Sequence, residues 1–110
     1  MSLIIDTVQE YLPPKRKSTP SGWVSFNAVC CVHNGNSADT RQRGGIHITP
    51  NESVSYHCFN CGYKTGYRIG RPLGYRFRRW LEWLGADDNV IQRLNVEAMR
   101  LRDEVDTQLA

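Results

Sequence analysis

The chain has 110 residues, a formal net charge of +3, four cysteines and three histidines. A chain this short is expected to be one domain and to bury only about two thirds of the surface its unfolded form exposes, so a covalent or metal constraint is expected to supplement the core. No stretch approaches the roughly 20 apolar residues that span a bilayer, which excludes a transmembrane helix. "MSLIIDTVQEYLPPKRK" lacks the basic, apolar and small-residue pattern of a secretory signal, so the expected setting is cytoplasmic with reduced thiols. Disulfides are disfavoured further because the neighbours Cys30 and Cys31 are poor partners for each other.

Charge is unevenly spread. Between Lys15 and Arg79 there are eleven basic residues against only Asp39 and Glu52, whereas from Leu81 onward seven acids face three bases. The first part is suited to an anionic partner and the last part is not.

In chain order, Leu3, Ile4, Val8, Tyr11 and Leu12 fall on one helical face, and Pro13-Pro14 stops the helix. "KRKSTPSG" reads as a basic connector without periodicity. "WVSFNAVCC" is rich in β-formers and predicts a strand that carries Cys30 to its end. "NGNSADTRQRGG" reads as a mobile polar loop. "GGIHITP" and "SVSYHC" predict a hairpin turning at "PNES" and delivering Cys58 to the same end as Cys30. "CGYKTGYRIGRPLG" has the glycine density of a turning strand and an exit loop. The period then changes: Phe77, Trp80, Leu81 and Leu84 share a helical face, and Gly85 sits where a helix terminates. Asp87 or Asp88 caps a further short helix. "VEAMRLRDEVDTQLA" continues as a third helix or opens a linker. The fold class expected is α+β, a small zinc ribbon flanked by an N-terminal helix and C-terminal helices. Its expected division is residues 1–70 for ribbon and first helix, and 71–110 for the helical segment.

All cysteines and histidines lie between Cys30 and Cys61. Cys30 and His33 form a C-x-x-H pair, and Cys58 and Cys61 a C-x-x-C pair followed by Gly62. A two-residue gap in a tight turn brings both side chains to one side of the backbone, within reach of Zn–S bonds near 2.3 Å and Zn–N bonds near 2.0 Å. Cys30, His33, Cys58 and Cys61 are therefore expected to hold one structural Zn2+. Cys31, His47 and His57 are left as spectators, Cys31 because its gap to His33 is one residue. Gly62 is placed where a left-handed residue follows a knuckle. A four-thiolate iron site for electron transfer ranks last, since His33 occupies the fourth position.

"CCVHN" with "IHITPNESVSYHCFNCGYKTG" resembles the C-x-x-H, C-x-x-C zinc ribbon at the N-terminus of bacterial and tailed-phage DNA primases. "IIDTVQEYLPPKRK" and "SGWVSFNAVC" are similar to that family's first helix, basic turn and first strand, so the resemblance covers roughly residues 3–66. Two features depart from it: the gap between knuckles is lengthened by "SADTRQRGG", and Cys31 stands where the family often has proline. The resemblance implies a module that helps a primase choose its start site on single-stranded DNA template and holds template with nascent primer. Nothing resembles the primase catalytic domain, and no carboxylate cluster reads as a magnesium site, so primer synthesis would need a catalytic domain outside this sequence.

Single strands are bound where cations track phosphates and ring faces stack on unpaired bases. The residues expected to do this are Arg41, Arg43, Lys64, Tyr67, Arg68 and Arg71. Tyr56 and Phe59 are open between core and stacking platform, Trp80 and Trp83 read as packing residues, and His47 as a surface strand residue. Expected partners are single-stranded DNA, nascent primer, and a primase catalytic domain or replicative helicase; the acidic helices are expected to pack on the ribbon or to lead toward such a partner. The alternatives are another nucleic-acid zinc ribbon, from a transcription or polymerase accessory factor, and a protein-interaction zinc module docking through the helices after Gly74.

Overall fold

The structure, a computed structural model, describes residues 3–109. Helix α1, Leu3–Tyr11, turns Ile4, Ile5 and Val8 inward and ends just before the two prolines. Five strands follow: β1 Arg16–Ser18, β2 Trp23–Phe26, β3 Gly44–Ile48, β4 Val54–Cys58 and β5 Lys64–Tyr67. They pair antiparallel in the order β1-β2-β3-β4-β5, a simple meander. Helices α2, Tyr75–Leu84, and α3, Asp88–Leu109, complete the chain. The α+β class and the antiparallel sheet agree with the sequence reading.

Directly paired residues share a face of a sheet, and successive residues alternate. The registers Phe26↔Gly44↔Cys58, Ile46↔Tyr56 and Val54↔Tyr67 therefore put those residues on one side. Phe26, Ile46, Val54, Tyr56 and Tyr67 are all buried there. The helices close over this side: Trp80 lies 4.7 Å from the Tyr56 ring and Phe77 6.2 Å from Tyr67, centroid to centroid. Ile91, Leu94 and Ala98 of α3 join the same core as Ile4 and Val8 of α1. The registers Trp23↔His47↔Ser55↔Gly66 and Ser25↔Gly45↔His57↔Lys64 define the opposite side. Its side chains range from half-buried to exposed.

Four local expectations are corrected. The connector "KRKSTPSG" contains β1, whose residues are all exposed and so show no apolar alternation; it is held by its ladder to β2 and by Arg16 Nη1, which donates to the Gln9 carbonyl of α1 at 3.3 Å. A charged edge strand of this kind discourages pairing with a second molecule. The strand through "WVSFNAVCC" stops at Phe26, before the cysteines. The segment after Asp87 is one helix reaching Leu109, capped by Asp87 Oδ1, which accepts the Val90 N–H at 2.9 Å. The loop containing Asp39 is anchored, as described below.

The sheet needs close strand approach at Gly66, where an added Cβ would sit 2.5 Å from the Val54 carbonyl oxygen. Gly66→Ala is therefore expected to lower stability by about 1–3 kcal/mol in denaturant unfolding, through overpacking. Unchanged stability would contradict the β4–β5 register.

Candidate functional site

Beyond Phe26 the backbone leaves the sheet, and Cys30 adopts a right-handed helical conformation (φ −89°, ψ −19°) before a 3-10 turn, Cys31–Asn34. Gly35 closes that turn at φ 80°. In helical backbone, neighbouring side chains diverge by roughly a quarter to a third of a turn, whereas in a strand they oppose each other. Cys30 and Cys31 can therefore face one point together. From the other side β4 delivers Cys58, and the turn to Cys61 is closed by the Gly62 N–H bonded to the Cys58 carbonyl at 3.0 Å. Gly62 has the left-handed backbone, φ 81°, that the sequence suggested.

The sulfurs of Cys30, Cys31, Cys58 and Cys61 all lie within 4.8 Å of one another, a group that could hold a metal ion. Cys30 Sγ is 3.2 Å from Cys61 Sγ, and Cys31 Sγ is 3.5 Å from Cys58 Sγ. Three of the four expected ligands are thus brought together. The fourth position is corrected: Cys31, read as a spectator, is in the group, and His33 is not. His33 is exposed and its ring stacks on Trp83, 4.6 Å between centroids and 7° from parallel. The one-residue gap to His33, the reason for excluding Cys31, decides nothing once His33 lies outside the group, and the turned backbone lets Cys30 and Cys31 face the cluster together.

Each sulfur meets a polar partner. Asn60 Nδ2 donates to Cys31 Sγ at 3.1 Å, and the backbone N–H groups of Asn60 and Cys61 donate to Cys58 Sγ at 3.4 Å. Cys30 Sγ is 3.1 Å from the Tyr56 hydroxyl, and Asn34 Nδ2 donates to Cys61 Sγ at 3.6 Å. Arg43 Nη1 donates to Asn60 Oδ1 at 2.6 Å, which fixes the amide with its NH2 toward Cys31. Burial pushes the Cys30 thiol well up from its ordinary value and that of Cys31 up to about 11, the latter against the Asn60 donor. At Cys61 burial acts in the same direction, but hydrogen bonds from the Tyr63 N–H and the neighbouring thiols outweigh it and hold the thiol low.

The loop read as mobile is organised by Asp39, which is buried. Its carboxylate accepts backbone N–H bonds from Ala28 at 2.8 Å, Arg41 at 2.9 Å and Arg43 at 2.7 Å. Burial alone would raise its pKa; the three donors and the Arg43 charge reverse this and hold the carboxyl below its usual range. Asp39 ties the end of β2 to the start of β3 and places Arg43 for its contact with Asn60. Sequence reasoning missed it, although an aspartate that can bond the backbone two residues on is a known turn signal.

The expected nucleic-acid residues divide. Lys64 is exposed on the open side of the sheet, beside His57. Arg68 and Arg71 are exposed and line an open cleft with Ser53, Ser55 and Gly66, continuous with that side. Arg41 is exposed, and Arg43 is half-buried on Asn60. Tyr67 is corrected: it is 4% exposed, because its place in β5 points it beneath α2. The aromatic groups on the open side are others. Phe59, 73% exposed at the tip of the second knuckle, lies 4.3 Å from the His57 ring, and its N–H is bonded to the Arg43 carbonyl at 2.9 Å. Trp23 and His47 pair at 5.4 Å across β2 and β3. Trp23 was missed because it had been counted only as a strand former.

Comparison with family models, curated proteins and solved structures finds no match for this chain. The fold and site by themselves define an α+β domain whose antiparallel sheet carries, at one end, four clustered cysteines able to hold a metal ion. No helix among the described residues is long and apolar enough to cross a membrane.

Asp39→Asn is expected to cost about 1–3 kcal/mol at neutral pH, because an amide cannot satisfy three buried N–H donors and brings a competing donor of its own. A depressed folded pKa stabilises above the unfolded value near 3.9 and ceases to as pH falls through the folded value, so the difference from wild type should shrink below about pH 4. Unfolding curves across pH check this; a constant difference would contradict the carboxylate's role.

Proposed function

We propose that this chain is a zinc-binding module that holds single-stranded nucleic acid on the open side of its sheet, as part of the machinery that starts DNA replication. The observation that carries the binding role is the composition of that side. Two ring pairs, Trp23–His47 and His57–Phe59, lie on a surface kept low by Ser25, Gly45, Ser55 and Gly66. Cations frame it: Lys64 on the surface, Arg68 and Arg71 at one border, and Arg41 next to the Phe59 knuckle. Ring faces attract unpaired bases, which a duplex conceals by stacking, while the cations follow phosphates. A tetrahedral set of four sulfurs suits zinc and also suits iron, which the sequence ranked last only because His33 was counted as a ligand; the primase resemblance is what favours zinc. Its role is to fix the turn that presents Phe59 and Asn60.

The likeness of "CCVHN" and "YHCFNCG" to primase zinc ribbons supports the more specific role: recognising template at the primer start site beside a catalytic domain or helicase. In that role the helices, on the other side of the sheet, are free to meet the protein partner. The chain would contribute template contact and no phosphoryl transfer.

Fluorescence anisotropy at low salt is expected to show binding of single-stranded oligonucleotides in preference to duplex, with a salt slope near 0.7 per phosphate neutralised. Phe59→Ala should weaken it by about 1–3 kcal/mol if one base stacks there. Tyr75→Ala, an equally exposed ring on α2, should have no effect. Lys64→Ala should weaken all sequences alike, since phosphate contacts carry no sequence information. Preference for duplex, or equal effects of the Phe59 and Tyr75 variants, would defeat this reading.

Removing the metal with a chelator is expected to lower the unfolding temperature and abolish oligonucleotide binding together, because a structural zinc contributes folding free energy and holds the knuckle. Circular dichroism and anisotropy on one sample check it; binding that survives complete metal removal would separate the site from the face.

A further inference from the structure

We propose that the metal is held by four thiolates, those of Cys30, Cys31, Cys58 and Cys61, and that His33 is no ligand but a strut between the metal turn and α2. The inference rests on reading the cluster as a metal site, and it departs from the C-x-x-H pattern that the sequence resembles. Three independent observations carry it.

The backbone is the first. The helical conformation at Cys30 and the 3-10 turn from Cys31 let adjacent side chains converge, and both are fully buried in the cluster. His33, two residues further on, is exposed at the flank of the same turn.

Second come the donors. A divalent ion with four thiolates carries a net charge of about −2, which a buried site tolerates only when hydrogen-bond donors are directed at the sulfurs. Such donors are present at each: Tyr56 beside Cys30, Asn60 Nδ2 at Cys31, two backbone N–H groups at Cys58, and Asn34 at Cys61. Arg43 brings a guanidinium one hydrogen bond further out, through Asn60. Held in this orientation by Arg43, the Asn60 amide is aimed at Cys31, where a thiolate ligand needs a donor.

The third is the engagement of His33 elsewhere. Its ring lies flat on Trp83, which in turn meets Tyr63 edge-on at 5.0 Å and faces Arg79 at 5.7 Å. This stack joins the first knuckle to α2. Ligation by His33 would require breaking it and displacing Cys31 from a fully buried position.

Metal analysis and X-ray absorption at the zinc edge, on the intact chain purified without chelator, test this directly. One zinc with four sulfur neighbours near 2.3 Å is expected. Three sulfurs and one nitrogen near 2.0 Å would overturn it. His33→Ala should keep the metal stoichiometry and the wild-type visible spectrum of the cobalt-substituted chain, while lowering the unfolding temperature through loss of the Trp83 stack. A cobalt spectrum that changes in His33→Ala would also overturn the assignment. Cys31→Ala should lose one cobalt–thiolate contribution or the metal altogether. None of these readouts involves oligonucleotide, so a chain with four sulfur ligands and no affinity for single strands would refute the proposed function and leave this inference intact.

Discussion

The meeting of two turns at one end of the sheet is the constraint on which the rest of the molecule depends. One turn follows β2 and carries Cys30 and Cys31; the other follows β4 and carries Cys58 and Cys61. Among the described residues, the first turn lies within the longest stretch outside strands and α-helices, from Asn27 to Arg43. Little apolar surface is available there to hold it: residues Val32 to Ala38 are all exposed. Four sulfurs and one carboxylate take the place of a core. The sulfurs join turn to turn, and Asp39 joins the two ends of the loop through backbone N–H groups.

The same arrangement links the metal site to the outer surface. Cys58 and Tyr56 point inward along β4, so the cluster adjoins the aromatic core of Tyr56, Trp80 and Phe77. His57, between them, points outward, and Phe59 follows it at the tip of the turn. Asn60 donates to Cys31 while its oxygen holds Arg43, and the Arg43 carbonyl receives the Phe59 N–H. A few residues thus connect a buried sulfur to an exposed ring. Displacement of Cys31 would be felt at Phe59 through this chain of contacts.

Much of the fold was legible because its apolar periods are clear. The α1 stripe, the β3–β4 hairpin and the α2 face each gave the right element, and Gly62 and Gly85 marked backbone that turned out left-handed. β1 was not legible, since an exposed edge strand of three residues leaves no pattern in its side chains. α3 appeared as two pieces because none of residues 99–104 is fully buried. At the metal site, spacing located both knuckles but chose His33 over Cys31. Counting residues between ligands presumes that His33 is one of them; here the chain leaves the strand at Phe26 and turns at Cys30, so that both adjacent cysteines reach the cluster and His33 does not. Tyr67 failed for a related reason: its neighbours Lys64 and Arg68 are exposed, but alternation in β5 sends Tyr67 inward. Asp39 was overlooked because one buried acid in a polar loop looks like its exposed neighbours until its donors are seen.

The central claim is that the metal turn and the open side of the sheet form one surface for single strands, with the helices behind it. Backbone and side-chain NMR of the zinc-loaded chain, titrated with a short single-stranded oligonucleotide, tests it most directly. The account predicts shifts concentrated at Trp23, His47, His57, Phe59 and Lys64, extending to Arg41 and Arg68, with α2 and α3 unchanged. Shifts centred on Tyr75, Arg78 and Arg79 of α2, with the sheet residues unmoved, would contradict it.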